Sequence, residues 1–116
     1  MKNYVQISNI IKKFNRVITV QGDKSISIRW ALMASQAVGK SRANNLLKSE
    51  DVESTLTALK KLGVKVLKNK KYCEIIGKGL NSYNFRNNTI INAGNSGTLA
   101  RLIFGLLSNS NKSVII

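Results

Sequence analysis

Hydrophobic positions along this chain follow two periods that alternate in blocks. Residues 16–21 (RVITVQ) are rich in β-branched side chains and stop at Gly22, which predicts a strand. Residues 25–38 predict a helix closed by a left-handed cap at Gly39. Its apolar residues, from Ile26 and Ile28 through Trp30, Leu32 and Met33 to Val38, cover almost every side. A helix apolar all round is expected to be buried all round. Residues 41–47 predict a short strand.

The next block is an amphipathic helix with clear ends. Ser49 is placed as its N-cap, Glu50, Asp51 and Glu53 fill the first turn, and Lys60 and Lys61 precede Gly63. Acids at the start and bases at the end complement the helix dipole. Val52, Leu56, Leu59 and Leu62 form its apolar face. Two strands at 64–68 and 72–77 follow, joined by an Asn-Lys-Lys turn. After a polar stretch the pattern restarts: a strand at 88–94, a helix at 96–108 and a strand at 113–116.

The two starts align. In ITVQGDKSISIR a strand leads through Gly22 to Arg29; in TIINAGNSGTLAR a strand leads through Gly94 to Arg101. In each, small polar residues fill the gap and the Arg falls one turn into a helix. The spacing predicts an internal repeat of strand–helix–strand–helix–strand–strand, of which the second copy holds only the first three elements. The 116 residues are therefore expected to be a truncated piece of a longer protein.

Composition narrows the chemistry. Nineteen Lys and Arg against five Asp and Glu give a net charge of +14, which favours anionic partners: nucleic acid, an acidic membrane surface or phosphorylated metabolites. The lysine pairs at 12–13, 60–61 and 70–71 are scattered, as on a solvated surface. One cysteine excludes a disulfide framework, and with no histidine a zinc site is not expected. The absence of histidine also removes any Ser-His-Asp arrangement. No apolar run reaches membrane-spanning length and no signal-peptide core is seen, so a cytoplasmic setting and no membrane partner are expected. No helix-turn-helix, RNP or zinc pattern supports nucleic-acid binding. Gly39-Lys40-Ser41 imitates the end of a P-loop, but Ala34 stands where its first Gly is required.

The chemistry concentrates at the two starts. Ser25 and Arg29 share a helix face, with Lys24 just ahead of the first turn. Free N–H groups and the positive end of the dipole add to them, giving an anion site of backbone, hydroxyl, ammonium and guanidinium. A purely structural account has Ser25 capping the helix and Lys24 solvated. In the second start Asn95, Ser96 and Thr98 cap or bind, Gly97 admits a ligand close to the backbone, and Arg101 lies one turn on. Its structural role would be to pair with a carboxylate such as Asp51.

These residues resemble a known family. GDKSISIR is similar to the N-terminal signature of the 3-phosphoshikimate 1-carboxyvinyltransferases, SRANNLLKSEDVESTLTALKKLGV to the segment that follows, and NAGNSGTLARLIFGLL to the second signature. The sister family, the UDP-N-acetylglucosamine enolpyruvyl transferases, has Lys-Asn where this chain has Lys24-Ser25 and fits less well. The resemblance implies an inside-out α/β prism built from βαβαββ repeats, about one and a half of them present. It implies residues 18–116 as part of one domain, and 1–17 as a segment that packs on the other domain of the full protein.

It also implies transfer of the enolpyruvyl group of phosphoenolpyruvate to the 5-hydroxyl of shikimate 3-phosphate by addition and elimination. No metal or organic cofactor and a monomeric full-length enzyme are implied. Lys24 would contact both substrates, Ser25 and Arg29 would hold shikimate 3-phosphate, and Asn95 and Gly97 would line the phosphoenolpyruvate pocket. Thr98 and Arg101 would support that pocket. The catalytic carboxylates are expected beyond Ile116, so the chain alone is expected to show no turnover. Two positions depart from the family pattern: Ile28 replaces a polar residue before the signature Arg, and Gln21 replaces Pro before the Gly. The alternative to an enzyme is a non-catalytic anion-binding module.

Overall fold

A computed structural model describes residues 4–10 and 12–116 of the chain. Its elements run α1 (Lys24–Gln36), β1 (Val38–Asn44), α2 (Glu50–Lys61), β2 (Lys65–Lys68), β3 (Tyr72–Lys78), β4 (Thr89–Ile90), α3 (Gly97–Leu107) and β5 (Val114–Ile115). The central sheet has the order β1-β3-β2 and is antiparallel throughout. β4 and β5 pair in parallel on either side of α3. The predicted repeat is thus present as five of six elements in the first unit and three in the second.

The missing element is the strand expected at 16–21. These residues pair with no strand among the described residues, with Val17 99% and Ile18 69% exposed. An extended segment becomes a strand only when a neighbour takes its N–H and C=O groups. Among the described residues the one hydrogen bond to this segment is Asn45 Nδ2 donating to Val20 O at 2.9 Å. In the second unit the corresponding strand, β4, has its partner in β5.

α2 forms as its sequence predicts: Ser49 Oγ accepts from Val52 N, and Gly63 follows the last turn at φ +83°. α1 differs in two ways. It begins at Lys24 under an Asp23 cap, whose Oδ1 accepts from Ile26 N at 2.7 Å, so Ser25 is not the cap. It ends at Gln36, and Gly39 (φ +94°) lies inside β1 rather than closing the helix. Gly39-Lys40-Ser41 is thereby strand, not a phosphate loop.

α1 is also not buried all round: Ile26 is 68% and Met33 73% exposed. Among the described elements α2, β3 and α3 make its main contacts, and they cover the face carrying Ile28, Ala31, Leu32 and Ser35. α2 adds Val52, Leu56 and Leu59, β3 adds Cys73 and Ile75, and α3 adds Leu99 and Ile103. Alternation along β3 sends Glu74 to the opposite face of the sheet. It lies directly across from Arg42, whose Nε and Nη2 donate to Glu74 Oε1 at 2.8 and 2.6 Å. Arg42 also stacks on the Tyr72 ring, and its hydrogen bond to Glu74 raises its pKa. No helix among the described residues is long and apolar enough to cross a membrane.

A buried thiol and a half-buried phenol give the fold an alkaline limit. Burial pushes the Cys73 thiol above its ordinary 9.0. It pushes the Tyr83 phenol, whose hydroxyl lies 2.7 Å from Ser35 Oγ, above its ordinary 10.0. Each folded group holds its proton more tightly than the unfolded chain does, so this stability is whole below the unfolded pKa and is lost as pH rises. The denaturant midpoint is expected to fall once pH passes 9.0, and Cys73→Ala to move the onset towards 10.0. A midpoint unchanged up to 10.0 in the unsubstituted chain would contradict the assignment to Cys73.

Candidate functional site

The first corner is built around Gly22. A β-carbon there would overlap the Asn45 carbonyl oxygen and lie 3.0 Å from Leu47 N, so only glycine lets the chain pass this close to the end of β1. One residue on, Asp23 starts α1. The buried Ser27 Oγ accepts from Leu47 N at 3.1 Å and fixes α1 against the segment that leads into α2. Lys24 consequently stands in the first turn of α1, where its N–H and that of Ser25 have no acceptor among the described residues. Its ammonium lies 2.9 Å from Asp51 Oδ2 in the first turn of α2.

The Lys24 side chain is 53% exposed and that of Asp51 only 10%. The carboxylate is therefore the fixed partner and the ammonium the accessible one. An ammonium carries three donors, so Lys24 can keep Asp51 and still offer hydrogen bonds to an anion. Ser25 is half-buried, and Arg29, one turn on, is exposed with no ion pair among the described residues.

At the second corner Asn92 Oδ1 accepts from Gly94 N at 2.8 Å, and Gly94 takes φ +59°. The buried Ser96 caps α3, its Oγ accepting from Leu99 N at 3.3 Å. Asn95 and Gly97 are exposed and Thr98 half-buried. Arg101 is exposed, and its Nη2 would lie 3.5 Å from a β-carbon placed on Gly97, so the guanidinium folds back over the start of α3. Asp51 is not its partner among the described residues; that carboxylate pairs with Lys24.

Both corners meet α2 within one turn. Asp51 takes Lys24, and a β-carbon on Gly94 would be 3.3 Å from Ser54 Oγ. Further along the helices, Arg29, Leu32 and Met33 of α1 face Leu102 and Leu106 of α3 across a cleft of about 280 Å³. No hydrogen bond or ion pair joins the two sets of side chains directly among the described residues. Lys48, just before α2, adds a cation to the hollow lined by Ser54 and Asn92.

Comparison with known proteins identifies the family. The family model described as EPSP synthase (3-phosphoshikimate 1-carboxyvinyltransferase) matches residues 8–116. The chain belongs to the EPSP synthase family. It is 38% identical over 120 residues to the 3-phosphoshikimate 1-carboxyvinyltransferase of Blochmanniella pennsylvanica (strain BPEN), covering 100% of this chain and 27% of that protein. It is 44% identical over 97 residues to that of Streptococcus pyogenes serotype M2, covering 84% and 22%. A solved EPSP synthase from Acinetobacter baumannii superposes with a TM-score of 0.71 at 35% identity, covering 78% of this chain and 21% of that one. The chain thus spans about a quarter of the length of the curated relatives it matches, and its fold is part of the EPSP synthase architecture.

Against that family pattern, Ile28 points into the core, fully buried, while its neighbour Arg29 stays outside. The sequence offered Asp51 as a helix-dipole acid and a possible partner of Arg101, and Ser27 as a polar residue in an apolar run. No spacing in the sequence marks the contacts they make to Lys24 and Leu47. Lys48 has no motif signal at all.

Proposed function

We propose that this chain supplies the substrate-binding corners of an enolpyruvyl transferase. The enzyme moves the enolpyruvyl group of phosphoenolpyruvate to the 5-hydroxyl of shikimate 3-phosphate and releases phosphate. The observation that carries the reading is the meeting of both corners on the first turn of α2, through Asp51 to Lys24 and through Ser54 to Gly94. Lys24 is assigned to both substrates, since it stands between the α1 start and the α2 start with donors to spare. Ser25 and Arg29 hold shikimate 3-phosphate. Asn95 and Gly97 line the phosphoenolpyruvate pocket, where Thr98 and Arg101 support it. Helix N-termini at both corners favour the phosphate and carboxylate charges of these substrates.

Residues 18–116 form part of one domain on this reading, and residues 1–17 a segment that packs on the other. The exposure of Tyr4, Val5, Ile7 and Ile10 supports this. The reaction uses no metal or organic cofactor, and the enzyme works as a cytoplasmic monomer without nucleic-acid or membrane partners. Turnover needs carboxylates outside this chain. Purified 116-residue protein is expected to release no phosphate from the two substrates, and the full-length gene product to release it steadily. Phosphate release by the short chain would overturn the division of labour. A full-length product that binds the substrates without turnover would favour a non-catalytic anion-binding module.

A further inference from the structure

Beside the first corner, the β2–β3 turn meets the end of β1 and Thr19 of the N-terminal segment around a cavity of about 320 Å³. Lys48, Lys68, Lys70 and Lys71 line it together with Asn45 and Tyr72. No carboxylate does. Lys68 is held by Glu53, while Lys48, Lys70 and Lys71 have no ion pair among the described residues. Ammonium groups around one hollow repel one another unless an anion enters, and among the described residues the chain supplies only Glu53, which Lys68 takes.

The surround is ordered. Asn69 Oδ1 accepts from Lys71 N at 2.8 Å and from Tyr72 N at 2.9 Å, which sets the turn. Asn45 sits at φ +57° with its amide on Val20 O. The lysines are therefore carried on a fixed frame and not on a loose loop.

From this we infer that the cavity is a second anion site, adjoining the first corner but not lined by Lys24, Ser25 or Arg29, for a compact oligophosphate. Three observations set the ligand class. The donors are ammonium groups, which neutralise charge without the planar geometry that selects carboxylates. The space suits a short chain of phosphates and not a polymer track. The Tyr72 ring already carries the Arg42 guanidinium 4.4 Å from its centroid, so that face offers no platform for stacking a base. The phosphate chain itself is what the site reads, whether free or borne by a nucleotide.

Calorimetric titration of the full 116-residue chain with inorganic tripolyphosphate at near-physiological salt is expected to give saturable one-to-one binding. Lys70→Ala with Lys71→Ala removes two charged contacts and should weaken it by at least about tenfold. Lys60→Ala, which removes an exposed lysine outside the cavity, should leave it within about twofold. ATP binding as tightly as tripolyphosphate, or less tightly, shows that the free phosphate chain suffices; tighter binding of ATP makes a nucleotide the source. Amide shifts of the unsubstituted chain should move at 45–48 and 68–72, which locates the site without any variant. Unsaturable binding, shifts confined to the α1 and α3 starts, loss on Lys60→Ala alone, or preference for single-stranded RNA would each overturn the assignment. Failure of the phosphate-release assay would not touch it.

Discussion

Lys24→Ala in the full-length gene product is expected to lower turnover by at least about 10²-fold, the scale for removing one preorganised donor from a developing negative charge. The expectation rests on position. Lys24 is in the first turn of α1, its ammonium is 2.9 Å from Asp51, and half of its side chain remains open to a ligand. The same change frees Asp51, so stability must be separated from chemistry. An ion pair with one exposed partner contributes only about 0–1 kcal/mol, and Asp51 keeps the favourable dipole at the start of α2. The melting temperature should therefore shift by only a few degrees while turnover collapses.

Asp51→Asn provides the complementary test. It leaves Lys24 chemically intact but releases it, and should raise KM more than it lowers kcat. Lys24→Arg should not rescue, since a planar guanidinium cannot hold Asp51 and two substrates from one point. Wild-type kinetics for Lys24→Ala would remove Lys24 from the site, as would a loss of turnover that merely tracks the loss of folded protein.

Much of this site was legible before any coordinates, and the physical reason is local. Capping and the helix dipole act over a few residues, so Ser49, Glu50, Asp51 and Lys60 announce α2 almost to its ends. The repeat of Gly22 to Arg29 in Gly94 to Arg101 likewise marks two helix starts, and both helices form, although only the second is preceded by a strand. What was not legible depends on distant partners. Residues 16–21 have every property of a strand except a neighbour, and Ile26 and Met33 belong to an apolar helix but find nothing to cover them. Asp51 reads as a dipole acid, yet its contact is to another helix. Sequence periodicity reports which side chains want burial; it does not report which surface of the chain arrives to bury them.

Gly77→Ala is the substitution expected to cost most in stability, about 3 kcal/mol or more. β3 runs beneath the C-terminal end of α1, and Gly77 is the point of closest approach. A β-carbon there would overlap the Ala37 carbonyl oxygen and stand 2.6 and 2.9 Å from those of Ala34 and Ser35. All three obstacles are backbone, and a methyl group has no rotamer with which to avoid them. Relief requires α1 to lift from the sheet, which would disturb Ile28, Ala31, Leu32 and the Ser35–Tyr83 hydrogen bond together. Its cross-strand partner Gly39 provides the control. That residue needs its φ of +94° but has nothing within 4 Å, so Gly39→Ala should cost only about 1–2 kcal/mol of backbone strain. In a domain with roughly 5–15 kcal/mol in all, the two variants should separate clearly in denaturant midpoint. Equal costs would mean that the helix and the strand are not in contact at Gly77. Since α1 carries Lys24 and Arg29, loosening its far end should also weaken substrate binding in the full-length protein, though no side chain of the corner has been touched.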